Sequence, residues 1–455
     1  MHNFTNQTTI KSDLIYSKIS DELLNKYPKR ISKVVLGSLL LLHFCQTAFA
    51  QTLIEGTVLE AETKKPLPSV SVYLNNTSIG TTTNSKGFFI LRNIPSEKFK
   101  LVASSIGYET FAEMIDPKKI SGDIVITLHH KSEQLDKVVL VPDDPDGWKK
   151  WGLLFTDLFI GTNSNSNQCH IENPDVIRLR MNPDNSLTAY AREPLLIINY
   201  VLGYEIRYKL EEFEYDLNTK VLTYNGFALF KDLGLSSKKK EKKYEQERND
   251  TYRGSLLHFM RAYFVNKLEE QGFEMRNLGN ISNPEKDRAK YKFKIEWAAH
   301  RDSTIMDTTE YTATVAPPGC RNCEATSTIT VNVVDSTDYF LKKLLEPDSV
   351  ISHQIVSADS IGFAEDSATA GLYFKDSLEV SYKLKGIPNR YKALSKEHKK
   401  ETYPVSQFMF VNRKPVYISA NGYYYGPHDL KITGFWAWWE TISTMLPYDY
   451  IPPKN

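Results

Sequence analysis

Two His-x-x-Glu pairs, His130-x-x-Glu133 and His398-x-x-Glu401, have the spacing of two zinc ligands. A catalytic zinc site also needs a third, distant ligand and a carboxylate in a pocket. The first pair lies at the edge of a strand-rich region and the second in the lysine-rich run SKEHKKE, so both read as solvated charge. Cys320-Arg321-Asn322-Cys323 has redox spacing. An activated thiol of that kind follows a strand and sits at a helix N-terminus, which lowers its pKa. Here Pro317-Pro318-Gly319 precedes the pair and a β-rich stretch follows, so a loop-tip disulfide between Cys320 and Cys323 is expected. Zinc held by Cys169, His170, Cys320 and Cys323 is the alternative use of the same thiols. The chain has no G-x-S-x-G elbow and no G-x-x-x-x-G-K-[ST] loop. No catalytic, cofactor-binding or metal-binding residue is assigned, and the chain is expected not to be an enzyme.

The rest of the composition narrows the classes further. Of 455 residues 41% are hydrophobic, and 56 basic side chains face 55 acidic ones, a net charge of +1. Such a chain buries a core rather than staying disordered. It offers no general field for nucleic acid. The one basic run, Ser236 to Lys243 (SSKKKEKK), lacks aromatic context and reads as a solvated loop. Near the C-terminus Tyr423, Tyr424, Tyr425, Phe435, Trp436, Trp438 and Trp439 crowd together. That density suits carbohydrate stacking, a membrane interface or a protein contact. The simpler expectation is a short C-terminal helix over Phe435 to Met445 that docks its indoles into the core.

The elements that would position such groups begin with an address. Lys29, Arg30 and Lys33 precede an uncharged apolar run from Val34 to Phe44, and Ala48-Phe49-Ala50 closes it. This is the pattern of a secretory signal cleaved before Gln51. The run is about half the ~20 residues a spanning helix needs. His43 and Phe44 ahead of Cys45 speak against lipid attachment. An exported chain meets an oxidising compartment, which favours the Cys320–Cys323 pairing.

Residues 53 to 128 then alternate with period two between turn signals. Ile54, Gly56 and Val58 begin the pattern; Val70, Val72 and Leu74 continue it; Asn84-Ser85-Lys86-Gly87 turns the chain. Short, evenly spaced strands predict a β-sandwich whose core holds Val58, Val70, Val72, Leu74, Phe89, Leu91, Leu101 and Ile126. Gly56-x-Val58, Pro66-Leu67, Val70-x-Val72, Gly80-Thr81-x-Thr83, Gly87-x-Phe89 and Gly107-Tyr108, in this order, resemble the carboxypeptidase regulatory-like domain. The resemblance implies a transthyretin-like sandwich without catalytic residues, of a type common in exported Bacteroidota proteins. Leu135 to Val141 is similar to the segment that follows this module in TonB-driven transporters. Residues 142–455 are too few for such a barrel. The expected organisation is a signal over 1–50, the sandwich over 51–130, a linker over 131–147 and an α+β domain with antiparallel sheet over 148–455.

In the second domain Val176 to Arg180, Ser186 to Ala191, Leu195 to Tyr200, Tyr204 to Tyr215 and Val221 to Phe230 read as a β-meander. Leu256 to Gly272 reads as an amphipathic helix with Val265 on its apolar side. Further strands are expected near 290–299, 309–315, 326–334, 372–384 and 408–425. NPDVIRLR, PLLIINYVLGYEIRY, YRGSLLHF and GFWAWWE look like a region of uncharacterised Bacteroidota envelope proteins. Seven Asp-Ser/Thr pairs resemble the O-glycosylation pattern of that phylum's exported proteins, which implies modification at Ser303, Thr308, Ser336, Ser349, Ser360, Ser367 and Ser377. Together these point to a non-enzymatic envelope protein that binds an envelope protein or a glycan, without cofactor or nucleic acid. It would meet membrane only through partners, in the periplasm or at the outer membrane. A hydrolase with an unfamiliar site in the second domain is the alternative. The prolines and acidic residues at 142–146 lead us to expect two largely independent domains.

Overall fold

Alternation of apolar and polar residues lays down seven short strands first. These are β1 (Ile54–Glu60), β2 (Ser71–Leu74), β3 (Gly80–Thr82), β4 (Phe88–Leu91), β5 (Phe99–Ser104), β6 (Phe111–Ile115) and β7 (Ile124–Leu128). They form two sheets ordered β4-β1-β7 and β3-β2-β5-β6, with β1 and β7 parallel and the other pairs antiparallel. All eight expected core residues are buried between them, Phe89 the most exposed at 2%. The structure, a computed structural model, describes residues 53–131, 144–234, 237–291, 342–366, 368–394, 402–411, 413–425 and 430–453. The expected signal, Glu133, residues 135–141, Cys320, Cys323, His398, Glu401, Ser303, Thr308, Ser336 and Ser367 lie outside the described residues. Residues 54–91 and 95–455 group as one unit. Residues 1–53 with 92–94 group as another, whose described members, Leu53 and residues 92–94, have irregular backbone.

The second domain starts with helix α1 (Gly147–Phe159), followed by β8 (Cys169–Ile171), β9 (Ile177–Met181), β10 (Ser186–Ala191), β11 (Leu195–Asn199), β12 (Tyr204–Asp216) and β13 (Val221–Asp232). The five expected strands are present, but not as a simple meander. β10 and β11 do not pair with each other and instead share one edge of β12, in the order β8-β11-β12-β10-β9, with β13 along the other edge. Phe155 and Phe159 of α1 pack on Phe213 and Tyr208 of β12. The run read as a loop is instead the start of a second helix, α2 (Lys238–Tyr252). Ser237 caps it, and Tyr244 and Tyr252 are buried. Arg248 donates to the carbonyls of Leu202 (2.7 Å) and Gly203 (3.1 Å) and lies 3.8 Å from the centre of the Tyr204 ring. Helix α3 (Leu256–Phe264) ends eight residues earlier than expected, because Asn266 takes the left-handed conformation (φ 53°). Val265, expected inside, is 54% exposed.

The remaining strands are β14 (Phe273–Asn277), β15 (Asn280–Ser282), β16 (Ser349–Ile351), β17 (Gln354–Val356), β18 (Gly362–Asp366), β19 (Thr369–Leu372), β20 (Leu378–Tyr382), β21 (Val405–Phe410), β22 (Val416–Ser419), β23 (Tyr424–Tyr425) and β24 (Leu430–Gly434). They make sheets β17-β14-β20-β21-β24, β18-β19-β22-β23 and β15-β16. Residues 284–291 are helical, so the strand expected near 290–299 does not begin there. The expected C-terminal helix shrinks to α4 (Phe435–Trp439) and a single turn at Ile442–Thr444. Phe435, Trp436 and Trp439 are buried in the core around Phe259 and Phe408.

The two domains are joined, against the expectation of independence. The β2–β3 hairpin loop reaches the edge of β13. Asn76 N–H donates to Ala228 O (2.7 Å), Phe230 N–H donates to Thr77 O (2.9 Å), and Ala228 N–H donates to Asn75 Oδ1 (3.0 Å). Tyr73, Val102 and Phe227 share one small core. Gly80 permits the approach, since a Cβ there would stand 2.8 Å from Leu229 Cδ1. The C-terminal segment seals the joint: Tyr448 N–H donates to Asn76 O (2.7 Å), and Ser78 N–H donates to the Asp449 carboxylate (3.0 Å).

Candidate functional site

Where α3 begins, Ser255 accepts from His258 N–H (3.1 Å) and leaves the first-turn N–H of Leu256 pointing outward. Glu440 answers it: its Oε1 accepts from Leu256 N–H at 2.8 Å. The placement comes from α4, which Gly434 starts at φ +74° and whose three buried aromatics turn Glu440 back toward α3. Glu440 lies in a cleft of about 1180 Å3 lined also by Tyr224, Tyr424, Trp436, Trp438 and Tyr448. Its side chain is half-buried, yet the mass of protein around it strips most of its water. That desolvation outweighs the Leu256 N–H and pushes the carboxyl up to about 7. Burial likewise pushes the Tyr424 and Tyr448 phenols up. Below neutral pH the floor is therefore uncharged and rich in hydroxyl groups beside indole faces. Trp436 and Trp438 are held by Nε1–H bonds to Gly254 O (2.9 Å) and Thr162 Oγ1 (3.1 Å). Such a floor can bind amides, hydroxyls and apolar surface. The exposed Asp157 is the other carboxylate on the cleft among the described residues.

His258, beside this site, is buried, with 5% of its surface exposed, and neutral. Its Nδ1 accepts from Gly254 N–H (3.1 Å), its Nε2 meets Gln271 Oε1 (3.1 Å), and burial lowers its pKa to about 4. It is a packing residue, against Phe273 and Tyr382.

His130 stands in the sandwich, 2.6 Å from Glu60 Oε1 and stacked on Tyr108. Glu60, Glu62 and His130 bring three ligand atoms within 4.8 Å of one another. The Glu60 carboxyl is lowered by its hydrogen bond from Thr63 and then by His130, so these groups already answer one another. Cys169 faces the core at 3% exposure and burial raises its thiol to about 12, while His170 points to solvent from the opposite face of β8. Adjacent residues of one strand cannot both serve the zinc alternative. Of the candidate modification sites, Ser349 and Ser360 are exposed, whereas Ser377 Oγ is shielded from solvent.

Sequence reasoning assigned no residue here, and Glu440 was missed. The crowd of Trp and Tyr was the available signal. Their partner, Leu256, is 184 positions away and no local pattern links them.

Residues 54–140 match the model of the CarboxypepD_reg-like domain family. That part of the chain is a carboxypeptidase regulatory-like domain, as its motifs implied. No curated protein matches the sequence. Among solved structures, a protein from Bacteroides fragilis, described as membrane-associated and of unknown function, is 11% identical, over 85% of this chain and 94% of that one, with a TM-score of 0.15. A 9R-lipoxygenase from Cyanothece PCC8801 is 10% identical over 58% of this chain and 56% of that one, again at 0.15. Likeness at this level carries no argument about fold or activity. No helix among the described residues is long and apolar enough to cross a membrane.

Proposed function

We propose that the chain is a non-enzymatic binding protein of the cell envelope, exported by its leader and attached to membrane only through partners. The sandwich braces the larger domain, and the cleft above Glu440 takes up the partner, an envelope protein or a glycan. One observation carries this reading: a cleft of about 1180 Å3 with an aromatic, hydroxyl-rich floor. A photo-crosslinking residue at Lys431, on the cleft, should trap a defined partner in envelope extracts. The same residue at Leu153, 77% exposed on α1, should not. Equal labelling from both positions would sink the assignment.

A hydrolase is the second reading, favoured by an acid at about 7 on a cleft shared with Asp157. Glu440→Gln separates the two. Gln imitates the neutral acid, so binding persists in the first reading and turnover disappears in the second.

A further inference from the structure

β13 gives one edge to β12 throughout, and its other edge changes partner along its length. At residues 228–230 the hairpin loop Asn75–Thr77 occupies that outer edge, in a parallel bridge of Thr77 with Leu229. Ala228 O and Phe230 N–H are therefore turned away from β12. Strand backbone alternates residue by residue. The ladder with β12 has a bulge at Leu210–Glu212, but its extra residue, Glu211, lies on β12, so the alternation of β13 itself runs on. Leu222 and Tyr224, of the same parity, therefore turn their N–H and C=O groups to the same outer edge. Both residues line the cleft. Neither backbone makes an outer-edge hydrogen bond to a described residue. Asn76, a cleft residue 6% exposed, has a buried Oδ1 without a donor among the described residues. β24, the last strand of its sheet, is a further cleft wall.

An open strand edge is a template for another extended backbone. Here it continues a row that an extended segment has already begun to fill. Successive outward groups repeat at roughly 6.6–6.8 Å, the spacing of alternate residues in a strand. We infer that the cleft takes an extended peptide segment of a partner protein by strand addition, hydrogen-bonded to Leu222 and Tyr224. An uncharged side chain of that segment would lie over Trp436, Tyr424 and Glu440. The inference rests on the reading of the cleft as the binding site and gives that site its ligand class.

The test uses the full chain and phage-displayed random octapeptides, with the best binder resynthesised as a fluorescent probe. A strand paired along one edge uses every second amide. N-methylation of one alternate set should weaken binding about tenfold or more, and of the other set about twofold or less. Leu222→Pro removes the outward N–H while leaving the β12 ladder whole, and it should weaken the probe about tenfold more than Leu222→Ala, which trims the same core-packed side chain but keeps the N–H. If that variant does not fold, the N-methyl series on the unaltered chain gives the answer. The inference is overturned if no octapeptide is enriched, if both sets weaken binding equally, or if a glycan-array saccharide takes the cleft instead. In those cases cleft-specific crosslinking from Lys431 would still uphold the binding site itself, and its loss would remove both.

Discussion

At pH 5.5 the folded chain holds a proton on Glu440 and none on the His258 imidazole, the reverse of the same groups in water. Glu440 moves from 4.5 to about 7 on folding. Its contribution to stability is complete below 4.5 and is lost as pH rises through 7. His258 moves from 6.5 to about 4. Its contribution is complete above 6.5 and is lost as pH falls through 4. The two slopes oppose one another between 4.5 and 6.5. Urea midpoints of the unaltered chain should be nearly level there. Glu440→Gln should instead gain about 1–2 kcal/mol from pH 4.5 to 6.5, as the His258 slope stands alone. A variant profile parallel to the original would refute the raised Glu440 acid. Neither shift was legible beforehand. Each depends on burial against distant chain, whereas the eight core residues of the sandwich announced themselves through period two.

Among the elements, α3 is the hub. Arg261 donates to the carbonyls of Asn421 (2.8 Å), Tyr448 (3.0 Å) and Tyr450 (3.0 Å) and so ties the C-terminal segment to the helix. Arg261→Met keeps the apolar stem and strands three carbonyls. It should cost about 2–4 kcal/mol and raise amide exchange at residues 448–450 first. Uniform exchange change across the chain would contradict the latch. The turn before α3 is as demanding. Gly254 sits at φ +80°, and an added Cβ would stand 2.5 Å from Tyr382 Cδ1. Gly254→Ala should destabilise by about 2–4 kcal/mol in urea titration, and an effect under 0.5 kcal/mol would refute this packing. Element legibility followed periodicity. The Ser186 to Ala191 strand was read with its true ends, since alternation and turns bracket it. Helix α2 was lost because its lysine and glutamate run shows no apolar stripe. What fixes it is a cap at Ser237 and one arginine.

For the molecule as a whole, the sandwich and the second domain share Tyr73, Val102, Phe227 and Leu229. Leu229→Asp places a charge in that joint. Calorimetry should then resolve two transitions where the unaltered chain gives one, with the sandwich keeping its own buried core. A single transition in the variant would show that the eight sandwich residues cannot fold without their neighbour.

The loop that closes the β13 edge also has a history in time. The last sandwich strand ends at Leu128 and β13 begins at Val221. At roughly 5–20 residues per second, synthesis leaves several seconds between them. Every strand of the lid's domain is thus made before the edge it must cover exists. A shortened chain lacking residues 51–131 would be born with that edge bare, and newly made copies would meet each other there first.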